Sequence, residues 1–388
     1  MIYNVIILGA GASGLMAAIN AAARGRSVLV IDYAKKAGRK VLVSGGGKCN
    51  ITNMKISAND YFGADNTFCR YALRHFTTGS ILDILDKADI KTEERDLGRV
   101  FCKRGADEIV SYLVSIAKNS GVRFVLDTQI SEVSFSTHFY VNCEGGQYES
   151  SNLLVATGGL AWPQIGATNI GYVIAKQFGH KVLPLKPALT GFILPPNSPL
   201  MNLQGISLDV QLQIKGKSAV IEEPLLFTHK GISGPAALQV SCFWEKGDVI
   251  AINFLPQENI ISRMHEPQNG KLFVGKQLTR FLPERLVASI IPKNIAERKV
   301  AELGKKDRNI ISDCVHSYLV VPDSVEGFSK AEVTMGGVST SEINPKSMES
   351  LLQKGLFFSG EVMDITGKLG GYNIHWAFAS GYVAGQNI

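Results

Sequence analysis

At 388 residues the chain exceeds the length that one compact hydrophobic core usually holds, so we expect two or three domains. Its composition, 45% hydrophobic and 19% charged, is typical of an ordinary soluble protein. The formal net charge of +6 looks spread along the chain, and the densest basic run, residues 305–308, contains an acid. This distribution disfavours nucleic-acid binding.

The six cysteines indicate a reduced, cytoplasmic compartment, because no two stand at C-x-x-C spacing. None pairs with a histidine at zinc-ligand spacing, so we predict no metal site. The apolar segment 4–23 lacks a basic amino-terminal region and contains glycines and Asn20, which disfavours both a signal peptide and a membrane span.

The first element pattern is a complete βαβ unit. The β-branched run 5–8 enters the sequence GAGASG at residues 9–14, an Ala-rich helix is predicted to Ala23, and a strand at 28–31 ends at Asp32. In such a unit the first glycine permits a tight turn, the second lets a pyrophosphate approach the backbone, and the third allows close helix packing. The helix N-terminus favours phosphates, and the acid can accept hydrogen bonds from ribose hydroxyls. The pattern predicts a dinucleotide site.

Further along, periodicity predicts helices at 68–76, 80–88, 106–119 and 171–178, and strands at 122–126, 130–135, 139–143, 147–149 and 152–157. A proline-rich stretch near Pro184 marks a boundary. Strand-like alternation follows to about residue 255, and helices are predicted at 275–281, 284–291, 295–303 and 310–318. The pattern of short strands followed by glycines, seen in the first domain, returns at Ala331, with a strand predicted at 356–358 and a final helix.

Four further segments have the composition of ligand-binding loops. They are the loop from Gly38-Arg39-Lys40 through SGGGKCN at 44–50, the ATGG turn at 156–159, the GEVMD sequence at 360–364, and the GKLGGYN sequence at 367–373. The glycine loop is not a phosphate-binding Walker A loop, because its glycine spacing differs and Cys49 stands in place of Ser or Thr. The returning GEVMD segment and a second glycine–helix junction favour FAD over NAD as the resident cofactor.

These segments, with GRVF at 98–101, FTHKGISGP at 227–235 and TMGGV at 334–338, resemble the BaiN-like (YhiN-type) family of bacterial NAD(P)/FAD-dependent oxidoreductases. The resemblance implies an α/β fold: a glutathione-reductase-type FAD-binding Rossmann domain (1–188 plus 328–388), an inserted β domain (189–257 plus 319–327) and a small helical domain (258–318). Two positions depart from the family pattern, Asp32 for the usual Glu and Lys48 for the usual Arg. Lys48 lacks the planar guanidinium group through which Arg can donate two parallel hydrogen bonds.

The resemblance also implies which residues bind FAD, partly through backbone groups such as those of Ile130. The expected set is Gly9, Gly11, Ala12, Ser13, Gly14, Asp32, Arg39, Lys40, Ser44, Ile130, Thr157, Gly158, Gly360, Asp364, Gly371, Tyr372, Asn373 and Ile374. A second GxGxxG for NAD(P)H is absent from the sequence, so a nicotinamide reductant would bind transiently and elsewhere.

We therefore predict an FAD-dependent oxidoreductase that transfers hydride between flavin N5 and a small or medium-sized organic substrate, with reduction of a conjugated double bond as one candidate. The candidate proton donors or substrate contacts are Lys48, Cys49, His229, Tyr372 and His375. Two alternatives stay open: a nucleic-acid-modifying flavoprotein, and a regulatory flavoprotein with slow turnover. The substrate, the reductant, the catalytic residues and the oligomeric state are undetermined by the sequence.

Overall fold

The computed structural model describes residues 1–264 and 270–388. These residues form two compact units: Met1–Pro187 with Glu332–Ile388, and Ala188–Ala331. The predicted division of the inserted region into a β domain and a small helical domain stays a prediction.

The amino-terminal part of the first unit alternates strands and helices. Its strands are β1 (Ile2–Leu8), β2 (Val28–Ile31), β3 (Asn50–Asn53), β4 (Tyr61–Phe62), β5 (Thr92–Arg95), β6 (Arg99–Cys102), β7 (Arg123–Val125), β8 (Ile130–Phe135), β9 (Phe139–Cys143), β10 (Gly146–Val155) and β11 (Val182–Ala188). Its helices are α1 (Ala12–Ala23), α2 (Arg39–Val43), α3 (Arg70–His75), α4 (Thr78–Lys87), α5 (Ala106–Asn119) and α6 (Ile170–Gln177).

The second unit and the returning carboxyl-terminal part complete the element order. The strands of the second unit are β12 (Phe192–Ile193), β13 (Ser207–Ile214), β14 (Val220–Phe227), β15 (Gly231–Ser233), β16 (Ile250–Asn253), β17 (Tyr318–Val320) and β18 (Ser324–Val325). Its helices are α7 (Gly234–Ser241), α8 (Ile260–Met264), α9 (Val274–Leu278), α10 (Glu284–Ile290), α11 (Lys293–Ala296) and α12 (Lys305–His316). The returning part supplies β19 (Val333–Val338), β20 (Leu356–Phe358), β21 (Thr366–Gly367) and α13 (Tyr372–Asn387).

The first unit is built on a parallel sheet in the order β7-β2-β1-β10-β20. Residues of β1 and β2 are buried almost throughout, as expected of parallel strands covered on both faces. The carboxyl ends of these strands meet at one edge, where ligands bind in open α/β sheets. The predicted Rossmann-type α/β domain is confirmed.

Strand β10 corrects one sequence expectation. The two strands predicted at 147–149 and 152–157 form a single strand of ten residues. Its first half pairs antiparallel with β9, whereas Leu153–Val155 pair parallel with β20. Local alternation could not predict this continuity, because the residue pattern changes where the partner strand changes.

The second unit contains an antiparallel sheet in the order β17-β16-β13-β14-β15-β12-β18. The helix predicted at 295–303 is wrong in its second half, because α11 ends at Ala296. Instead, Val274 N donates to Arg298 O (2.9 Å) and Val300 N donates to Leu272 O (2.9 Å). Pairing with a distant segment therefore overrides the local helical periodicity.

The first and last helices pack backbone against backbone. A Cβ atom added to Gly381 in α13 would lie 2.2 Å from Ser13 O in α1, and one added to Gly385 would lie 2.5 Å from Ala17 O. Residues 381 and 385 must therefore be glycines, because any side chain there would overlap the backbone of α1. The contact holds α13, near the carboxyl end of the chain, against α1, near its amino end. None of the helices formed by residues 1–264 and 270–388 is both long and apolar enough to cross a lipid bilayer.

Replacing Gly381 tests this contact, because helix propensity and packing predict opposite signs. Propensity alone would favour Gly381→Ala by about 1 kcal/mol. The backbone clash instead predicts a net loss of about 1–3 kcal/mol in the free energy of unfolding. Gly79→Ala is the matched control, since Gly79 is an exposed helical glycine whose added Cβ would meet its nearest atom at 3.5 Å. Urea unfolding should show the control neutral or slightly stabilised; a stabilised Gly381→Ala would contradict the packing argument.

Candidate FAD-binding site

The glycine loop after β1 has the geometry that a diphosphate requires. A Cβ added to Gly9 would lie 2.3 Å from Ala156 O, and one added to Gly14 would lie 1.9 Å from Gly9 O. One added to Gly11 would meet nothing within 4 Å. Two glycines are thus required by packing, and the third leaves open space beside the backbone.

The N-terminus of α1 offers donors to that open space. Gly11 is the N-cap residue, makes no side-chain capping bond, and no acid stands in the first turn. The first N–H groups of a helix lack intrahelical acceptors and favour an anion. Ala12, Ser13 and Gly14 are themselves buried. The residues at this helix end therefore fit the pyrophosphate of FAD.

Asp32 lies at the end of β2 and is tied to the glycine loop. Its carboxylate accepts from Ala10 N (2.5 Å) and from Ala34 N (2.7 Å). Burial raises the pKa of Asp32, and these two N–H groups and the charge of Arg39 partly offset the rise. Each carboxylate oxygen has two acceptor positions, so the group can still accept a ribose hydroxyl. The carboxylate of Asp32, whose side chain is shorter than that of the Glu usual in the family, is thus held against the glycine loop.

Ile130 begins β8, two residues after Thr128. Thr128 N donates to Asp32 O (3.1 Å), and Asp127 N donates to Ala34 O (3.1 Å). The chain segment that leads into Ile130 is thereby fixed beside Asp32. The contact of Ile130 with an adenosine stays a prediction.

Arg39 and Lys40 begin α2 after Gly38, whose N–H donates to Ala10 O (2.8 Å). Lys40 Nζ forms an ion pair with Glu361 Oε2 (2.6 Å). The other carboxylate oxygen of Glu361 accepts from Thr334 N (2.8 Å).

Thr334 extends this network to the ATGG turn. Its Oγ1 accepts from Leu160 N (2.7 Å) and from Ala161 N (3.1 Å), directly after Gly158 and Gly159. Thr157 Oγ1 is buried without a partner among the described residues. Sequence reasoning did not single out Thr334 or Glu361 as individual site residues, although both lie inside quoted motifs.

Glu332 is another residue that the sequence did not indicate. Burial raises the pKa of its carboxyl group, Lys40 lowers it, and Glu361 raises it further. The pair Glu332 and Glu361 thus shares the field of one lysine.

The GEVMD segment follows β20. Gly360 has φ of 79°, its N–H donates to Ser380 Oγ (2.9 Å), and its carbonyl accepts from Trp376 Nε1 (3.2 Å). Asp364 is buried, and its Oδ2 accepts from Ala64 N (2.7 Å). Burial raises the pKa of Asp364. The segment is therefore fixed against α13 at the same sheet edge as the glycine loop.

The second glycine–helix junction leads into α13. Gly371, the N-cap residue, has φ of 96° and makes no side-chain capping bond. Tyr372 is buried, and its carbonyl accepts from Tyr61 OH (3.0 Å). The Asn373 amide bonds the backbone of Gly367 on both sides (2.8 and 2.9 Å), and Ile374 follows in the first turn. This N-terminus fits the partial negative charge of a reduced flavin ring.

Three of the five candidate proton donors are buried: Tyr372, described above, Cys49 and His375. Cys49 is fully buried with φ of 47°, and burial raises the pKa of its thiol to about 12. His375 is fully buried, with Nδ1 2.9 Å from Thr52 Oγ1 and Nε2 3.1 Å from Phe76 O. A carbonyl only accepts, so Nε2 carries the hydrogen and Nδ1 accepts from the threonine hydroxyl. This geometry favours a structural role for Cys49 and His375.

The two remaining candidates, Lys48 and His229, are both exposed. Lys48 is exposed at the end of the glycine loop, where its carbonyl accepts from Cys102 N (3.0 Å). Ser44, at the start of that loop, donates its hydroxyl to Val41 O (2.7 Å). His229 is exposed in the turn between β14 and β15, within the second unit.

Among known proteins, three relatives match this chain over nearly its full length. The model of the HI0933-like protein Rossmann domain matches residues 3–387. The chain is 39% identical over 393 residues to a ribosomal RNA dihydrouridine synthase of Haemophilus influenzae, covering 99% of this chain and 98% of that protein. It is 38% identical over 392 residues to the protein of the same name from Escherichia coli (100% and 98%). It is 29% identical over 405 residues to a 3-dehydro-bile acid delta(4,6)-reductase of Clostridium scindens (98% and 97%). The family resemblance inferred from the motifs is confirmed.

The loop geometry predicts different outcomes for two neighbouring glycines. Gly11→Ala should fold normally, because its Cβ meets no protein atom, yet weaken FAD binding at least about tenfold, or about 1.4 kcal/mol. Gly14→Ala should lose thermal stability even without FAD, because its Cβ would overlap Gly9 O. Thermal unfolding and fluorescence titration with FAD measure the two effects. A Gly11→Ala protein with unchanged FAD affinity would show that the open space is not the phosphate position.

Burial of His375 predicts a pH-dependent stability. Burial lowers its pKa from 6.5 to about 4, so the unfolded chain takes up a proton that the folded chain does not. Stability contributed by the neutral ring is therefore complete above about pH 6.5 and declines as pH falls towards 4, by about 1.4 kcal/mol per pH unit. In urea unfolding at pH 7 to 4.5, His375→Gln should reduce this slope by about one proton. Replacing the exposed His229 should leave the slope unchanged; an equal effect of both variants would contradict the assignment.

Proposed function

The chain belongs to the HI0933-like Rossmann-domain family of FAD-dependent oxidoreductases, and from that premise we propose that it reduces the C5=C6 double bond of a uridine in ribosomal RNA. The observation that carries the proposal is the 39% and 38% identity, over nearly the whole of each chain, to two proteins named ribosomal RNA dihydrouridine synthase. The matches cover nearly the whole of each chain in both directions.

The chemistry agrees with the expectation of conjugated double-bond reduction. The C5=C6 bond of uridine is conjugated to the C4 carbonyl, so it accepts a hydride at C6 and a proton at C5. FAD, when bound, supplies the hydride, and a nicotinamide, NADH or NADPH, restores the two electrons. The protein must therefore bind and orient the cofactor, admit a uracil ring, and provide one proton.

The residues of the first unit divide these tasks. We assign the pyrophosphate to the N–H groups at the start of α1 and the adenosine ribose to Asp32. We assign the isoalloxazine edge to the N-terminus of α13, where backbone N–H groups favour negative charge. The ion pair of Lys40 with Glu361 connects α2 to the GEVMD segment and holds the two sides of the cofactor site together.

For the proton we favour Lys48 among the candidates. Its side chain is exposed, whereas those of Cys49 and His375 are buried. Both ring nitrogens of His375 are hydrogen-bonded within the protein, and burial raises the pKa of the Cys49 thiol. The ammonium group is also suited to a nearby carbonyl or phosphate oxygen of RNA. Tyr372 and His229 stay as further candidates.

A second function is supported by the relative from Clostridium scindens. A 3-dehydro-bile acid delta(4,6)-reductase reduces a double bond conjugated to a carbonyl, which is the same bond class on a small molecule. At 29% identity this relative is the more distant of the three. The two proposals share the cofactor site and differ in the substrate alone.

An anaerobic assay with defined ribosomal RNA separates these functions. The yellow protein, NADH or NADPH, and ribosomal RNA from cells that lack the enzyme are expected to yield a uridine that gains two hydrogen atoms, measured by nucleoside mass spectrometry. Lys48→Ala should lower the rate by about 100-fold or more if Lys48 donates the proton. Lys176→Ala, an exposed lysine on α6, is the matched control.

The other outcomes are equally informative. Consumption of a steroid enone without dihydrouridine formation would favour the small-molecule function. Failure of both nicotinamides to reduce the flavin would contradict direct NAD(P)H dependence. If flavin is reduced and neither substrate is consumed, the proposal fails and a regulatory flavoprotein gains support.

A further inference from the structure

The net charge of the chain is concentrated in one short segment. Residues 271–308 contain ten lysines and arginines and four aspartates and glutamates, a net formal charge of +6. This equals the net charge of the whole chain, so the other 350 residues contain 30 cationic and 30 anionic side chains. The expectation of evenly spread charge is therefore wrong. Apolar core residues separate most of the basic residues of the segment, so only 305–308 stands out as a run in the sequence. We call residues 271–308 the basic segment.

The basic segment folds as one piece within the second unit. Val274 N donates to Arg298 O, Val300 N donates to Leu272 O, and Ala301 N donates to Gly270 O (3.1 Å). Phe273 and Lys299 form an isolated antiparallel bridge. A Cβ added to Gly275 would lie 3.4 Å from Ala296 O, so α9 lies against α11. Cations that are distant in sequence are thereby brought to neighbouring backbone positions.

Three of the four acidic residues of the basic segment contact other residues of the same segment. Asp307 pairs with Arg298 (2.8 Å), Glu297 lies 3.7 Å from Lys293, and Glu302 accepts from Lys299 N (3.3 Å). Five lysines are exposed and form no ion pair in the described part of the chain. They are Lys271, Lys276, Lys299, Lys305 and Lys306. We call these five the basic surface.

Two members of this surface stand at an electrostatically unfavourable position. Lys305 and Lys306 are the first two residues of α12, a helix of twelve residues. The positive end of the helix dipole disfavours cations there by a few tenths of a kcal/mol to 1 kcal/mol each. Asp307 in the same turn offsets part of this cost but is itself paired with Arg298. A polyanion placed against the lysines would relieve their mutual repulsion.

An exposed aromatic ring accompanies the charge. Phe273 is 49% exposed and stands between Lys271 and Lys276 in sequence, opposite Lys299. Exposed aromatic rings beside lysines are typical of single-stranded RNA sites, where bases stack on the ring and phosphates contact the cations. Lysines and an aromatic ring together match RNA better than an acidic peptide.

We propose that the basic surface, with Phe273, is the docking surface for the phosphate backbone and an unpaired base of ribosomal RNA. The assignment of ribosomal RNA rests on the proposed function, whereas the polyanion-binding character rests on the charges alone. Each phosphate contact releases a counterion, so binding through this surface depends steeply on salt concentration.

The test compares two variants with equal changes in charge. The surface variant carries Lys271→Gln, Lys276→Gln, Lys305→Gln and Lys306→Gln. The control variant carries Lys118→Gln, Lys176→Gln, Lys246→Gln and Lys354→Gln, four exposed lysines that form no ion pair among the described residues. Both should retain FAD, since none of the eight residues belongs to the cofactor site.

Binding to purified ribosomal RNA is measured at 50 to 200 mM salt by filter retention, in parallel with dihydrouridine formation. The surface variant should bind at least about tenfold more weakly, with a slope of log affinity against log salt reduced by about 3. The control variant should bind with a slope close to that of the unaltered protein. A Phe273→Ala variant should lose affinity by a factor that does not vary with salt.

The outcomes distinguish this inference from the proposed function. If the surface variant binds and modifies RNA like the control, the docking surface is wrong and the function stands. If the unaltered protein binds RNA through these lysines but forms no dihydrouridine, the surface stands and the function fails. Absence of salt-dependent RNA binding by the unaltered protein overturns the inference, as does lysine-dependent binding to phosphatidylglycerol vesicles in place of RNA.

Discussion

The contact between α1 and α13 is the constraint on which the rest of the first unit depends. Backbone meets backbone where Gly381 and Gly385 face Ser13 and Ala17, so the two helices approach more closely than side chains would permit. The approach brings the N-terminus of α1 and the GEVMD segment together, with Ser13 hydrogen-bonded to Ser359. Residues separated by more than 300 positions are thereby brought together at the position that we propose for the cofactor.

Burial and charge act in opposite directions on the carboxyl groups of this site. Desolvation raises the pKa values of Asp32, Glu332 and Asp364, whereas Arg39 lowers that of Asp32 and Lys40 lowers that of Glu332. Two helix N-termini without side-chain caps add donors at the two ends. These two N-termini are the positions that we assign to the diphosphate and to the ring of FAD.

Much of this could be predicted from sequence because the determinants are local. The βαβ unit, the helix at 106–119 and the strand at 356–358 each follow from a contiguous pattern and agree with the structure. The partners of His375 could not be predicted, since Thr52 and Phe76 are far away in sequence and no periodicity links them. The same holds for Lys40, Glu361 and Thr334, whose network depends on α2, the GEVMD segment and β19 meeting in space. The prediction that the helix at α11 continues to residue 303 failed for a related reason. The residues that follow α11 pair with residues 270–274.

The position of β20 and α13 in the chain has a consequence for biosynthesis. Strand β10 is complete at Val155 and pairs with β1, but its second parallel partner, β20, begins only at Leu356, about 200 residues later. At a translation rate of about 5–20 residues per second, the edge of β10 and the small-residue face of α1 stay uncovered for about 10–40 s. The second unit, whose strands and core residues all come from Ala188–Ala331, has its entire sequence available before that edge is covered. The nascent chain therefore carries an unfinished amino-terminal half beside a region already able to fold, and we expect this interval to be its main exposure to chaperones and to aggregation.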